Sequence, residues 1–149
     1  MNPITAMIVD DSGIMRKLVM RSITESKLAE FAFVEATDGA DALAKFNPDS
    51  IQMLFVDWNM PNMNGIDFIR KIRALEKKHT PVVMVTTERT VGKVEEAMES
   101  AGVDAYVCKP FTTDVLTEKV RPLVRKLREE APPPKPTGGF FSRLASQLS

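Results

Sequence analysis

An α/β fold built on a doubly wound parallel sheet is predicted by three observations. Five short apolar runs alternate with five stretches whose apolar residues recur at helical spacing. The joins between them are short and punctuated by Gly, Pro, Asn or Asp. Several runs end on a carboxylate, a hydroxyl or an ammonium, as they would if their C-terminal ends shared the ligand-binding rim of a parallel sheet.

Ala6-Met7-Ile8-Val9 reads as a buried first strand that ends on Asp10-Asp11. Ser12 can cap a helix in which Ile14, Met15, Leu18, Val19 and Ile23 form one apolar face, leaving Arg16, Lys17 and Arg21 toward water. Phe31 to Ala36 is a second strand. Asp38-Gly39 then opens a short helix carrying Ala40, Leu43, Ala44 and Phe46, which Asn47-Pro48-Asp49-Ser50 ends. The third strand, Leu54-Phe55-Val56, stops at Asp57. A turn from Pro61 to Gly65 leads into a third helix marked by Ile66, Ile69, Ile72 and Leu75.

Pro81 precedes the fourth strand, Val82-Val83-Met84-Val85-Thr86, which ends on a hydroxyl. Val91, Val94, Ala97, Met98 and Ala101 predict a fourth helix stopped by Gly102. Ala105-Tyr106-Val107-Cys108 is the fifth strand and runs into Lys109-Pro110. Thr112 or Thr113 caps the last helix. Pro122 lies inside that helix, where it removes a hydrogen bond and crowds the preceding turn, so a kink is expected there.

Residues 1–130 are expected to form one domain, 131–139 a Pro/Gly-rich linker and 140–149 a short amphipathic segment, with no room for a second folded domain. Lys and Arg number 20, as do Asp and Glu, so no global field draws the chain to nucleic acid or to an anionic membrane. There is no signal-like N-terminus and no apolar run of membrane-spanning length, and the single Cys cannot form an internal disulfide. A cytoplasmic protein is expected. Cys108 reads as a small buried apolar residue and His79 as a solvated loop residue.

Parallel pairing of the first and third strands would bring Asp10, Asp11 and Asp57 to one rim. Three carboxylates together repel one another unless a cation joins them. An all-oxygen set with few carboxylates suits Mg²⁺ better than Zn²⁺ or Ca²⁺. Asp57, as the last residue of the central strand, projects into the crevice at that rim and is the first candidate for the site's chemistry. Each residue alone has an ordinary structural explanation, as a cap, turn or surface charge. Four such accidents at four strand ends explain the pattern poorly.

Asp10-Asp11, Asp57, Thr86 and Lys109, in this order at strand ends, resemble the site of the response-regulator receiver domain. The run Asp57-Trp58-Asn59-Met60-Pro61-Asn62-Met63-Asn64-Gly65 resembles the chemotaxis type in particular. The resemblance covers about residues 4 to 130. It implies a flavodoxin-like fold with strand order 2-1-3-4-5. It also implies Mg²⁺ on Asp11 directly, on Asp10 largely through water, on Asp57 and on the Asn59 backbone carbonyl. Lys109 and Thr86 would hold phosphoryl oxygens, and Tyr106 would turn inward as Thr86 is drawn over.

The same resemblance implies a phosphoacceptor of a two-component system, one that assists its own phosphorylation and slow dephosphorylation without being an enzyme. Its partners would be a sensor histidine kinase, a phosphatase, and a target such as the flagellar motor switch. The face made by the fourth helix, fifth strand and fifth helix of a monomer would bind the target. A phosphorelay intermediate or phosphate sink is the alternative. A flavodoxin-like FMN binder fits less well, because Asp10-Asp11 would repel a phosphate. An aspartyl-phosphate hydrolase would need a general acid where Asn59 stands.

Asn59, Thr87 and Glu88 are expected to modulate the site. Thr87 leaves the hydroxyl assignment open by one position, and the Thr86-to-Gly102 segment is one residue longer than the pattern, which predicts an altered loop before the fourth helix. In the tail, Phe140, Leu144 and Leu148 recur every fourth residue with Phe141 beside the first, predicting a docking stripe.

Overall fold

The computed structural model describes residues 2–130. Strands β1 (Ile4–Val9), β2 (Phe31–Ala36), β3 (Met53–Val56), β4 (Val82–Thr86) and β5 (Ala105–Cys108) are all parallel and pair in the order β2-β1-β3-β4-β5. Helices α1 (Gly13–Ser26), α2 (Gly39–Lys45), α3 (Gly65–Leu75), α4 (Val91–Glu95) and α5 (Thr113–Glu130) fill the connections. The doubly wound architecture and the strand order are those expected.

Alternation along the strands divides the core in two. Met7, Val9, Leu54, Val56 and Met84 face one side and pack with Phe68, Ile69 and Ile72 of α3. Ile8, Phe55, Val83, Val85 and Val107 face the other and pack with Val19 and Ile23 of α1 and Leu116 and Val120 of α5. β3 is buried along its whole length, which is why its sequence shows a continuous apolar run instead of an alternating one.

The register places the strand ends in line, with Val9 opposite Val56 and Thr86 opposite Cys108. One further backbone hydrogen bond then pins each residue beyond the strands. Asp10 N–H donates to Ala36 (3.1 Å), Asp57 N–H to Val9 (2.9 Å) and Lys109 N–H to Thr86 (2.8 Å). Gly65 is required behind this rim, because a Cβ there would lie 2.0 Å from the Asp57 carbonyl oxygen.

Several helical details depart from the sequence reading. Ser12 does cap α1, accepting from Met15 N–H, but Ile14 (76% exposed) and Leu18 (45%) lie outside the core; Val19 and Ile23 are the buried positions. Arg16 does not face water freely: it pairs with Glu35 at 2.9 Å and donates to the Asp10 carbonyl at 2.7 Å. The phase of α2 is carried by buried Ala42, with Ala40 and Ala44 exposed. Leu75 likewise projects outward at the end of α3.

The fourth helix begins at a Thr90 cap, and after Glu95 it winds as a π-helical turn, Glu96–Ser100, closed by Ala101 N–H to the Glu96 carbonyl (2.9 Å). A π turn holds one residue more than an α turn. An altered loop is expected before this helix; the irregularity of this segment lies in the helix itself. Gly102 ends it at φ +77°. Thr112, not Thr113, caps α5 by accepting from Val115 N–H (3.2 Å). α5 runs unbroken through Pro122. His79 is an exposed loop residue as expected, and its Nε2 lies 2.8 Å from Asp104, at the edge of an ion network with Arg73 and Glu76.

Candidate functional site

Three loops leave the strand ends and converge on Asp57. Its Oδ1 accepts from the following backbone N–H of Trp58 (2.8 Å), and its Oδ2 lies 3.2 Å from Lys109 Nζ, so the carboxylate plane is held from both sides. Lys109 Nζ is also 2.7 Å from Asp10 Oδ2. Asp10 Oδ1 accepts from Ser12 N–H (2.9 Å), so both of its oxygens are already engaged. Asp11 is exposed. Asp10, Asp11 and Asp57 each place a carboxylate oxygen within 4.8 Å of the others, an all-oxygen cluster of the kind a hard divalent cation takes.

Burial pushes the Asp57 carboxyl above the ordinary carboxylate range. The Lys109 charge and the Thr86 hydroxyl draw it back, and the neighbouring Asp10 charge pushes it up again. One lysine thus bridges two carboxylates of a three-carboxylate cluster. The Thr86 hydroxyl reaches Asp57 from a fully buried side chain, whereas Thr87 is exposed.

The segment after β4 is fastened across the same end. Glu88 N–H donates to the Thr86 hydroxyl (3.3 Å), the Asn59 amide donates to the Glu88 carboxylate (2.8 Å), and the Tyr106 hydroxyl donates to the Glu88 carbonyl (2.6 Å). Tyr106 is half-buried, and burial pushes its phenol up to about 12. Cys108 is half-buried rather than fully enclosed.

Every expected residue of the described chain is therefore at this end of the sheet. Phe140, Phe141, Leu144 and Leu148 lie outside the described residues. Two contacts have no forerunner in the sequence reading. The Arg89 guanidinium donates to the Lys109 carbonyl, and Lys93 Nζ sits 4.6 Å from the centroid of the Trp58 ring. In sequence these are ordinary cations of a polar segment, and only the fold gives them partners.

No helix of the described residues is long and apolar enough to cross a membrane. The response regulator receiver domain model matches residues 6–121. Among curated proteins, chemotaxis protein CheY of Pseudomonas aeruginosa is 41% identical over 122 residues, covering 81% of this chain and 96% of that protein. CheY1 of Helicobacter pylori is 40% identical over 116 residues, covering 76% and 91%. The solved structure of Vibrio cholerae chemotaxis protein CheY4 matches with a TM-score of 0.71 and 29% identity, covering 81% of this chain and 98% of that one. Matched by that family over most of its length and about 40% identical to these chemotaxis proteins, the chain belongs to the response regulator receiver domain family.

Proposed function

We propose that Asp57 accepts a phosphoryl group from the phosphohistidine of a sensor kinase. The observation that carries this reading is the Lys109 ammonium spanning Asp10 at 2.7 Å and Asp57 at 3.2 Å within the acid cluster. An Asp57 oxygen attacks phosphorus, the P–N bond breaks, and its electron pair leaves with the imidazole nitrogen. Mg²⁺ held by Asp11, Asp57 and the Asn59 carbonyl, with Asp10 acting largely through water, would supply charge neutralisation at the phosphoryl oxygens. Lys109 and Thr86 bind two of those oxygens and hold donor and nucleophile in line. The bond from the Asn59 amide to Glu88 places no proton donor against the acyl phosphate, which favours a persistent intermediate over rapid turnover.

Phosphorylation then favours one arrangement of Thr86, Glu88 and Tyr106, and the α4, β5 and α5 face binds a target such as the flagellar motor switch. A phosphatase returns the switch. Exposed Val91 on α4, Met98 on the π turn after it and Val115 on α5 offer apolar contacts to such a target. The tail stripe at Phe140, Phe141, Leu144 and Leu148 is a candidate competitor for that face. The test is label incorporation from a small acyl phosphate or amidophosphate with and without divalent metal. Asp57→Asn should abolish labelling; a label retained and mapped to another residue would sink the assignment. Affinity capture with and without beryllofluoride would identify the target.

A further inference from the structure

Arg89 has no part in the reading above, yet it closes a ring around the two groups that would hold the phosphoryl oxygens. The ring runs along the backbone from Thr86 to Arg89, through the Arg89 guanidinium to the Lys109 carbonyl, and back from Lys109 N–H to the Thr86 carbonyl (2.8 Å). Lys109 lies just past the end of β5, Pro110 has no N–H to offer, and α5 begins only at Thr113. The Lys109 peptide therefore sits between two regular elements. The Thr86 carbonyl on one side and the Arg89 side chain on the other hold it.

We propose that Arg89 is a positioning residue for Lys109: it fixes the distance between the Lys109 ammonium and the Thr86 hydroxyl, and so sets the rate of phosphoryl transfer to Asp57. The inference rests on Asp57 being the phosphoacceptor. Its physical basis is that a group stabilising developing charge is effective only when it is held in place before the reaction. The segment that carries Arg89 also carries Glu88, whose carbonyl accepts from Tyr106. Rearrangement of that segment during switching would reach Lys109 through the same guanidinium. The Lys93 contact with Trp58 holds α4 against the residue after Asp57 and does not touch Lys109.

A carbonyl acceptor needs an N–H donor, not a charge, and this separates positioning from direct attraction of an anionic donor. In the full chain with Mg²⁺ and acetyl phosphate, Arg89→Ala should lower the saturating phosphorylation rate about 10-fold, the scale of one lost hydrogen bond. The half-saturating donor concentration and the Mg²⁺ affinity read by Trp58 fluorescence should stay within about twofold. Arg89→Gln should restore most of the rate, and Arg89→Ala should change nothing further in a Lys109→Ala background.

A normal rate in Arg89→Ala, rescue by Arg89→Lys but not by Arg89→Gln, or a full additional loss in the Lys109→Ala background would each overturn the proposal. Asp57→Asn is the control that separates the two readings. If it still takes up label, the phosphoacceptor assignment fails; if it does not and Arg89→Ala behaves normally, only the positioning role fails.

Discussion

The two ends of the sheet both hold buried ion clusters, but they are built on opposite terms. At the C-terminal ends of the strands, Lys109 pairs with Asp10 and Asp57, Asp11 joins the same acid cluster, and the Asp57 carboxyl is held above its ordinary range. At the other end one cation reaches both of its carboxylates. Arg73 pairs with Glu76 (2.7 Å) and Asp104 (3.3 Å) and donates to the carbonyls of Thr80 (2.7 Å) and Gly102 (2.8 Å). Asp104 also accepts from Val82 N–H (2.8 Å) and meets His79. One cluster is closed by direct ion pairs and backbone hydrogen bonds and fastens α3, β4 and β5 together. The other carries excess negative charge that a bound cation would relieve.

The comparison breaks first at Asp57. In the absence of divalent metal, Asp57→Asn should raise the thermal midpoint, because the folded state holds an ionised Asp57 less readily than the unfolded chain does. Added Mg²⁺ should stabilise the parent protein and not the variant, so the order of the two midpoints reverses. A variant less stable than the parent without metal would show that the acid cluster is a structural device like the basal one. At the opposite end, Arg73→Ala leaves Glu76 and Asp104 without their buried cation and should cost about 3 kcal/mol in urea unfolding. Where the variant is folded, its Asp57 phosphorylation rate should stay within about twofold of the parent, the sites being separate. A loss below about 1 kcal/mol would reduce the network to a surface ion pair.

The contrast also accounts for what the sequence made legible. Asp10, Asp57, Thr86 and Lys109 stood out because each follows an apolar run, and the register of β1, β3, β4 and β5 carries strand ends directly into space. The basal network could not be read this way. Arg73, Glu76, His79 and Asp104 come from a helix end and two loops, so their meeting depends on how α3 packs and not on any periodicity. Helical phase failed in α1 for a related reason. Ile14 and Leu18 fit the 3.6-residue spacing, but the sheet and α5 together cover only the Val19 and Ile23 side. The π turn that follows α4 has no signature in the apolar spacing of Val91, Val94, Ala97, Met98 and Ala101.

A smaller effect is expected from ending the chain at Glu130, whose carboxylate lies 3.9 Å from Lys78 at the basal end. Both ion clusters are formed by residues among 2–130, so Asp57 phosphorylation and thermal stability should match those of the full chain. Capture of the target should change by about 10-fold if the stripe at Phe140, Leu144 and Leu148 competes for the α4, β5 and α5 face, the scale of burying a few apolar side chains against ordering costs. Equal affinity and equal localisation of both chains would remove the tail from the switch.

The smallest effect, and the one that reports most finely on the reactive end, is the titration of Tyr106. It is the sole tyrosine, so the phenol absorbance change belongs to it alone. Burial is the main cause of its rise to about 12, with the charges of Cys108, Glu88 and Asp57 adding to it. A phenol that ionises later in the folded state than in the unfolded chain contributes stability that is complete below about pH 10 and is lost as pH rises toward about 12. Nothing should change at neutral pH. Asp57→Asn and Cys108→Ser should each lower the midpoint slightly, because each removes a negative charge that opposes the phenolate, whereas Arg73→Ala at the far end should leave it in place. A midpoint near 10 in the parent protein would mean that the Tyr106 ring is solvated rather than tucked against Glu88, and the link between the acid cluster and the α4, β5 and α5 face would then need another carrier.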